Sequence, residues 1–148
     1  MKLVIQRVSR AAVRVDGETV GAIGLGLLVL VGLEHDDAED LLDKAARRIA
    51  TLRVFEDEDG RMNRGLDEVG GKVLAVSQFT LAGSIRKGRR PSFDHAMAGE
   101  KAEPYFDRFV ELLRSQGVEV ETGTFGAMME VELVNEGPVT LLWESNAG

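Results

Sequence analysis

An apolar run over residues 73–76 hands over at Ser77 to Gln78, Phe79 and Thr80. Functional groups often stand where a rigid strand gives way to a loop. Two hydroxyls, a carboxamide and the local backbone N–H groups are the parts of an oxyanion site, in which donors face a developing negative charge. The Thr80 hydroxyl is also a nucleophile for an activated ester, provided that a base takes its proton. No base stands near it in the sequence. On its own the stretch reads first as a polar strand end with ordinary hydrogen bonds.

A second candidate is Asn135-Glu136-Gly137-Pro138-Val139-Thr140, directly before the apolar run Leu141-Leu142-Trp143. Proline cannot donate to a sheet ladder, so a strand tolerates it at its first residue, at an edge or at a bulge. Gly-Pro suits a type II turn, or a cis peptide bond, a form largely confined to proline. Alone, the pair reads as a trans turn opening a buried strand over 139–143.

A third is the basic loop containing Arg86, Lys87, Arg89 and Arg90, followed by Pro91. Such a loop grips phosphate or carboxylate, or is solvated charge ahead of a helix; the two readings weigh about evenly. The histidines, His35 in an acidic loop and His95 after Asp94, stand near no nucleophile. A triad base needs such a neighbour, so they read as solvated or capping residues. They lack metal-ligand spacing, and no metal or cofactor is expected.

The elements that must position these groups follow from periodicity. Residues 3–15 are strand-like, with Asp16-Gly17 as a hairpin signal before a strand over 18–23. The continuous apolar run 26–33 reads as a strand buried on both faces. Leu41, Leu42, Ala45, Ile49 and Leu52 are spaced for a helix over 38–52, capped by Asp36 or Asp37. Residues 72–76 form another buried strand. The clearest helix spans 103–116, with Pro104 in its first turn and Gly117 at its stop. Strands over 118–122 and 129–134 alternate in polarity. Strands in consecutive groups with two main helices predict an α+β fold, its mostly antiparallel sheet rolled toward a barrel.

The length, 148 residues, fits a single domain over 1–148. It suffices for a core without disulfides, and there are no cysteines to form any. That removes thiol nucleophiles and thiolate zinc sites and fits a reducing compartment. The opening MKLVIQRVSR lacks the apolar core of a signal peptide. The longest apolar run is too short and too interrupted by glycine to span a bilayer. A cytoplasmic protein without a membrane partner is expected. The net charge of −7 argues against broad coating of a duplex. It leaves room for a small phosphate contact at the basic loop.

Ser77-Gln78-Phe79-Thr80-Leu81 and Asn135-Glu136-Gly137-Pro138-Val139-Thr140, in this order and in a chain of this length, resemble the D-aminoacyl-tRNA deacylases, also called D-tyrosyl-tRNA deacylases. MKLVIQRVSRAAVRVDG, KGRRPSFDHAM and FGAMMEVELVNEGPVT extend the resemblance over nearly the whole chain. It implies hydrolysis of the ester joining a D-amino acid to the acceptor end of tRNA, with L-aminoacyl-tRNA rejected and glycyl-tRNA cleaved. It implies a homodimer with active sites at the subunit interface. Ser77, Gln78, Phe79 and Thr80 would form the catalytic side. A cis Gly137-Pro138 from the partner would orient substrate and wall off the L-isomer. Arg7 would fix that pair, Phe125 would pack under the terminal adenosine, and Lys87, Arg89 and Arg90 would meet the tRNA. For Arg7 the alternative is an edge arginine reaching solvent; for Phe125, a plain core residue. The resemblance points to the ribose 2′-hydroxyl assisting an attacking water, beside Thr80 as the rival nucleophile. Arg89 stands where the family commonly has an amide residue, and Glu136 where aspartate is common.

Overall fold

A computed structural model describes residues 1–145. In chain order the elements are β1 (Lys2–Val15), β2 (Glu18–Ile23), β3 (Gly26–Gly32), α1 (Asp40–Thr51), β4 (Phe55–Glu56), β5 (Met62–Arg64), α2 (Leu66–Val69), β6 (Lys72–Ser77), a 3₁₀ turn (Phe79–Ala82), α3 (Gly99–Ser115), β7 (Val120–Thr122) and β8 (Glu130–Glu144). The first hairpin turns at Asp16-Gly17, both with positive φ, 51° and 80°. That is the backbone twist a tight turn between right-twisted strands requires.

β1 organises the sheet. Along one edge its first half pairs with β3 and its second half with β2; along the other edge it pairs with β8 over nearly its whole length. All three pairings are antiparallel, whereas β3 with β6 and β6 with β7 are parallel. The sheet is therefore mixed, a modest departure from the mostly antiparallel expectation. The parallel pairs arise because α1 and α3 are the crossovers leading to β6 and β7, and a parallel return needs such a crossover.

The roll of the sheet shows in its packing. Ile23 of β2 and Leu74 and Val76 of β6 meet Val8, Val13 and Leu28 in one interior cluster, although β2 and β6 are not neighbours. The opposite face of the sheet carries α1 and α3. Leu42, Ala45 and Ile49 of α1 and Phe106, Phe109 and Leu113 of α3 pack with Leu3, Ile5, Val29, Val31 and Ala75. β3 is buried on both faces, which explains its unbroken apolar run.

Three boundaries differ from the sequence expectation. α1 starts at Asp40, with Glu39 at its cap position and no side-chain cap bond. Asp37 does not cap it; its carboxylate accepts the Met1 amino group at 2.7 Å and the Glu34 N–H at 2.8 Å. α3 starts at Gly99, which leaves Pro104 inside the helix. The third concerns β8, which runs straight through Gly137-Pro138 where a turn was expected. Its later half is not a buried core strand: Val139 is buried, but Leu141 is 39% and Leu142 71% exposed.

Candidate active site

The end of β6 forms one half of the site. Ser77 lies opposite Val31 in the parallel register, and the Gln78 N–H donates to the Val31 carbonyl at 2.7 Å. The strand then tightens into the 3₁₀ turn, with Leu81 N–H donating to Gln78 O at 3.2 Å and Gly83 N–H to Thr80 O at 3.0 Å. Gly32 makes room for it, since a Cβ there would stand 2.6 Å from Leu81 Cβ. The first N–H groups of such a turn have no acceptor within it, and here they belong to Phe79 and Thr80. The Gln78 carboxamide donates to Thr80 Oγ1 at 3.1 Å, fixing the hydroxyl.

This turn rims a cleft of about 740 Å³. Ser77, Gln78, Phe79 and Thr80 line one side; Phe125, Gly126 and Met129 line another, with Leu33, Met97 and Ala102 among the remainder. Phe125 is backed by Phe106 of α3, ring centroids 6.3 Å apart. Among the described residues no ionisable side chain lines the cleft. The two carboxylates held below their usual range lie elsewhere: Asp57 chiefly through the Arg61 N–H, Glu132 through Arg10 and then Arg14. His35 and His95 also lie outside it, their rings 5.7 Å apart and His35 Nδ1 2.6 Å from Asp36. The polar groups this chain offers the cleft are hydroxyls, an amide and backbone donors.

The basic loop roots beside the cleft. Ser84 and Ser92 exchange backbone hydrogen bonds of 2.7 and 2.8 Å, closing a loop in which Lys87, Arg89 and Arg90 are all exposed. Past this bridge, Phe93 meets Phe79 edge to face at 5.2 Å. The cationic loop is thus tied to the residue on the cleft rim.

Gly137 and Pro138 lie elsewhere. In the β1–β8 ladder Gln6 pairs with Thr140 and Val8 with Asn135. Arg7 alone separates the two β1 residues, whereas Glu136, Gly137, Pro138 and Val139 separate their partners. The surplus residues bulge out of the sheet, as bulges insert unpaired residues in one strand. The Gly137-Pro138 bond is cis and Gly137 has φ 121°, a value that favours glycine. Arg7 lies under the bulge and is 5% exposed. Its Nη1 donates to Val54 O at 2.8 Å and its Nε to Glu136 O at 3.3 Å, with the Glu136 and Glu56 carboxylates at 3.7 and 3.9 Å.

The chain therefore gathers Ser77, Gln78, Phe79, Thr80 and Phe125 around one cleft, with Lys87, Arg89 and Arg90 nearby. Arg7, Gly137 and Pro138 form a separate patch and do not line that cleft. Sequence reasoning missed Met97 and Met129 as lining residues. Both lie in the family-like stretches around residues 87–97 and 125–140, but nothing in their type separates a cleft methionine from a core one.

Residues 4–144 match the family described as D-Tyr-tRNA(Tyr) deacylase. The chain belongs to that family. It is similar to the D-aminoacyl-tRNA deacylase of Symbiobacterium thermophilum, 59% identical over 145 residues, covering 98% of this chain and 96% of the relative. The D-aminoacyl-tRNA deacylase of Thermus aquaticus is 57% identical over 146 residues, covering 99% and 96%. Among solved structures, one described as c-Myc DNA Unwinding Element Binding Protein superposes with TM-score 0.92 at 43% identity, covering 99% of this chain and all of that one. A probable eukaryotic D-amino acid tRNA deacylase shares the fold, with TM-score 0.82 at 21% identity over 96% of this chain and 97% of that one.

Proposed function

We propose that this protein hydrolyses the ester of D-aminoacyl-tRNA, and of glycyl-tRNA, releasing the amino acid and tRNA while sparing L-aminoacyl-tRNA. Family membership supports the reaction. The observation that carries the mechanism is the cleft: a strand end with hydroxyls, a carboxamide and backbone N–H groups, without an ionisable side chain among its described lining residues. Water attacks the carbonyl carbon, the Phe79 and Thr80 N–H groups hold the oxyanion, and the 3′-oxygen leaves with a proton. With no side-chain base at the cleft, the ribose 2′-hydroxyl relays that proton. Ser77 and Gln78 position the ester, Phe125 supports the terminal adenosine, and Lys87, Arg89 and Arg90 take phosphates of the acceptor end. Single-turnover cleavage tests the proton route. A 2′-deoxy terminal adenosine should abolish it and Thr80→Ala should preserve most of it; the reverse pattern makes Thr80 the nucleophile.

On this reading the protein works as a cytoplasmic homodimer of single-domain subunits, and Gly137-Pro138 completes the partner's cleft. Two observations favour it. The pair does not line its own cleft. Among the described residues no strand pairs with the outer edge of β8, where Val134, Leu141 and Leu142 are exposed, a surface that isolated proteins rarely leave bare. A rigid backbone placed against the substrate's α-carbon excludes the L side chain by clash and admits glycine, which has none. Among the described residues no helix is long and apolar enough to cross a membrane.

A further inference from the structure

The four residues of the β8 bulge leave the ladder with β1, so something must close its neck. The Val139 N–H donates to Asn135 Oδ1 at 3.2 Å, and Asn135 Nδ2 donates to Thr140 Oγ1 at 2.9 Å. A backbone N–H can only donate, so the carboxamide oxygen must face Val139 and its NH₂ must face Thr140. From β1, Gln6 Nε2 donates to the same Thr140 oxygen at 3.3 Å. One short side chain at the first foot of the bulge therefore ties both residues at the second foot, and Thr140 passes the tie to β1.

We infer that Asn135 is a positioning residue for stereoselectivity: its carboxamide, through Val139 and Thr140, fixes how far and at what angle Gly137-Pro138 projects. The inference rests on the reading that this bulge completes a partner's site. The pattern of the residues supports it. The tie needs a side chain short enough to reach back over its own bulge, with one atom to accept the Val139 N–H and a second polar atom to bond the Thr140 hydroxyl, and Asn supplies both. Thr140 is exposed and Asn135 half-buried, so neither is held by core packing. Arg7 grips the Glu136 carbonyl from below at 3.3 Å but makes no bond to the second foot. Without the carboxamide the Val139 N–H loses its acceptor, and only side-chain packing and the ladder resuming at Thr140 hold that foot. A shift of about 1 Å at a substrate-orienting group is enough to cost ~100-fold in rate.

The test compares Asn135→Leu, Asn135→Asp, Thr140→Val and Gly137→Ala, each with D- and L-aminoacyl-tRNA and each checked for dimerisation and melting temperature. Asn135→Leu keeps the volume and loses both bonds. It should lower the D-to-L ratio of kcat/KM by at least ~10-fold through kcat, with KM for the D-substrate almost unchanged because the Ser77–Thr80 cleft and the basic loop are untouched. Asn135→Asp keeps the acceptor for Val139, and the Thr140 hydroxyl can turn to donate to it, so the ratio should return to within ~3-fold of the parent. Thr140→Val should fall between. A mere loss of folding would lower melting temperature and active fraction without moving the ratio. If Asn135→Leu keeps parental selectivity while Gly137→Ala loses it, the tie is refuted and the bulge reading stands. If neither moves the ratio, the bulge is not in the site and the inference falls with that reading. Failure of Asp to restore the ratio also overturns it. Should Asn135→Leu not assemble, Thr140→Val decides, and unchanged selectivity there overturns the inference.

Discussion

At the residue scale the cost of burying Arg7 is met by acceptors that belong to two separate segments, residues 54–56 and Glu136. Its guanidinium reaches the Val54 carbonyl, the Glu136 carbonyl and, more loosely, the Glu56 carboxylate. Arg7→Leu leaves the Val54 acceptor without its donor. It should lower unfolding free energy by roughly 1–3 kcal/mol in urea titrations and reduce deacylation by more than the lost folded fraction; a stability loss alone would restrict Arg7 to the fold. Glu132 gives a pH prediction. Its carboxylate lies between Arg10 and Arg14, whose hydrogen bonds hold its pKa below the ordinary value, the Arg10 bond contributing most. A depressed folded pKa means stability that is present at neutral pH and is lost as pH falls through that depressed value. Glu132→Gln should therefore melt slightly below the parent at pH 7, and the gap should close in acid and in high salt, because the group is exposed. A gap that widens in acid contradicts the pairing. What was legible at this scale was placement carried by type and neighbours, as in residues 77–80, which stand at a strand end on the cleft rim. Asn135 was not: its partners include Val139, across the bulge, and Thr140, which Gln6 also meets, 134 positions away in the chain. That pairing exists only once the β1–β8 register is known.

At the element scale β8 shows where pattern reading stops. Proline suggested a turn and the apolar run 139–143 suggested core. The strand instead continues through a bulge, which is one of the places a strand accepts proline. Val131, Val134, Leu141 and Leu142 are exposed, whereas Leu133 packs against the sheet's interior cluster and Trp143 against the helix-side core. The helices were legible from their apolar spacing, but their starts were not. The Asp37 carboxylate is engaged by the Met1 amino group, and Pro104 lies on the exposed side of α3, a turn inside a helix that packs through Phe106, Phe109 and Leu113. Phe109 is fully buried, so Phe109→Ala should cost ~3–5 kcal/mol through missing packing and the cavity left behind; a smaller loss by thermal denaturation would mean α3 collapses around the gap. The basic loop is held by the Ser84–Ser92 bridge and carries exposed charge. Arg89→Ala with Arg90→Ala should weaken tRNA binding and reduce its salt slope by about one for each phosphate no longer neutralised, with little change in melting temperature. Unchanged affinity and slope would remove the loop from the tRNA path.

At the scale of the whole molecule a chain of net charge −7 carries a cationic loop next to an uncharged cleft. On the proposed reading, general repulsion from an RNA duplex combined with this local attraction directs the protein to a single-stranded end. On the same proposed reading the separate patch at Gly137-Pro138 and the β8 edge meet a second copy related by two-fold symmetry. A mixed dimer tests this: one subunit disabled near residues 77–80 and the other at Gly137-Pro138. Completion in trans leaves one working site per dimer, whereas completion within one chain leaves none. The most direct test of the central claim is hydrolysis of one tRNA charged in parallel with the D- and the L-form of the same amino acid, followed by release of free amino acid over time. The account predicts rapid release from the D-ester and none from the L-ester above the uncatalysed rate. Equal release from both, or protection of the D-ester against spontaneous hydrolysis, would contradict it.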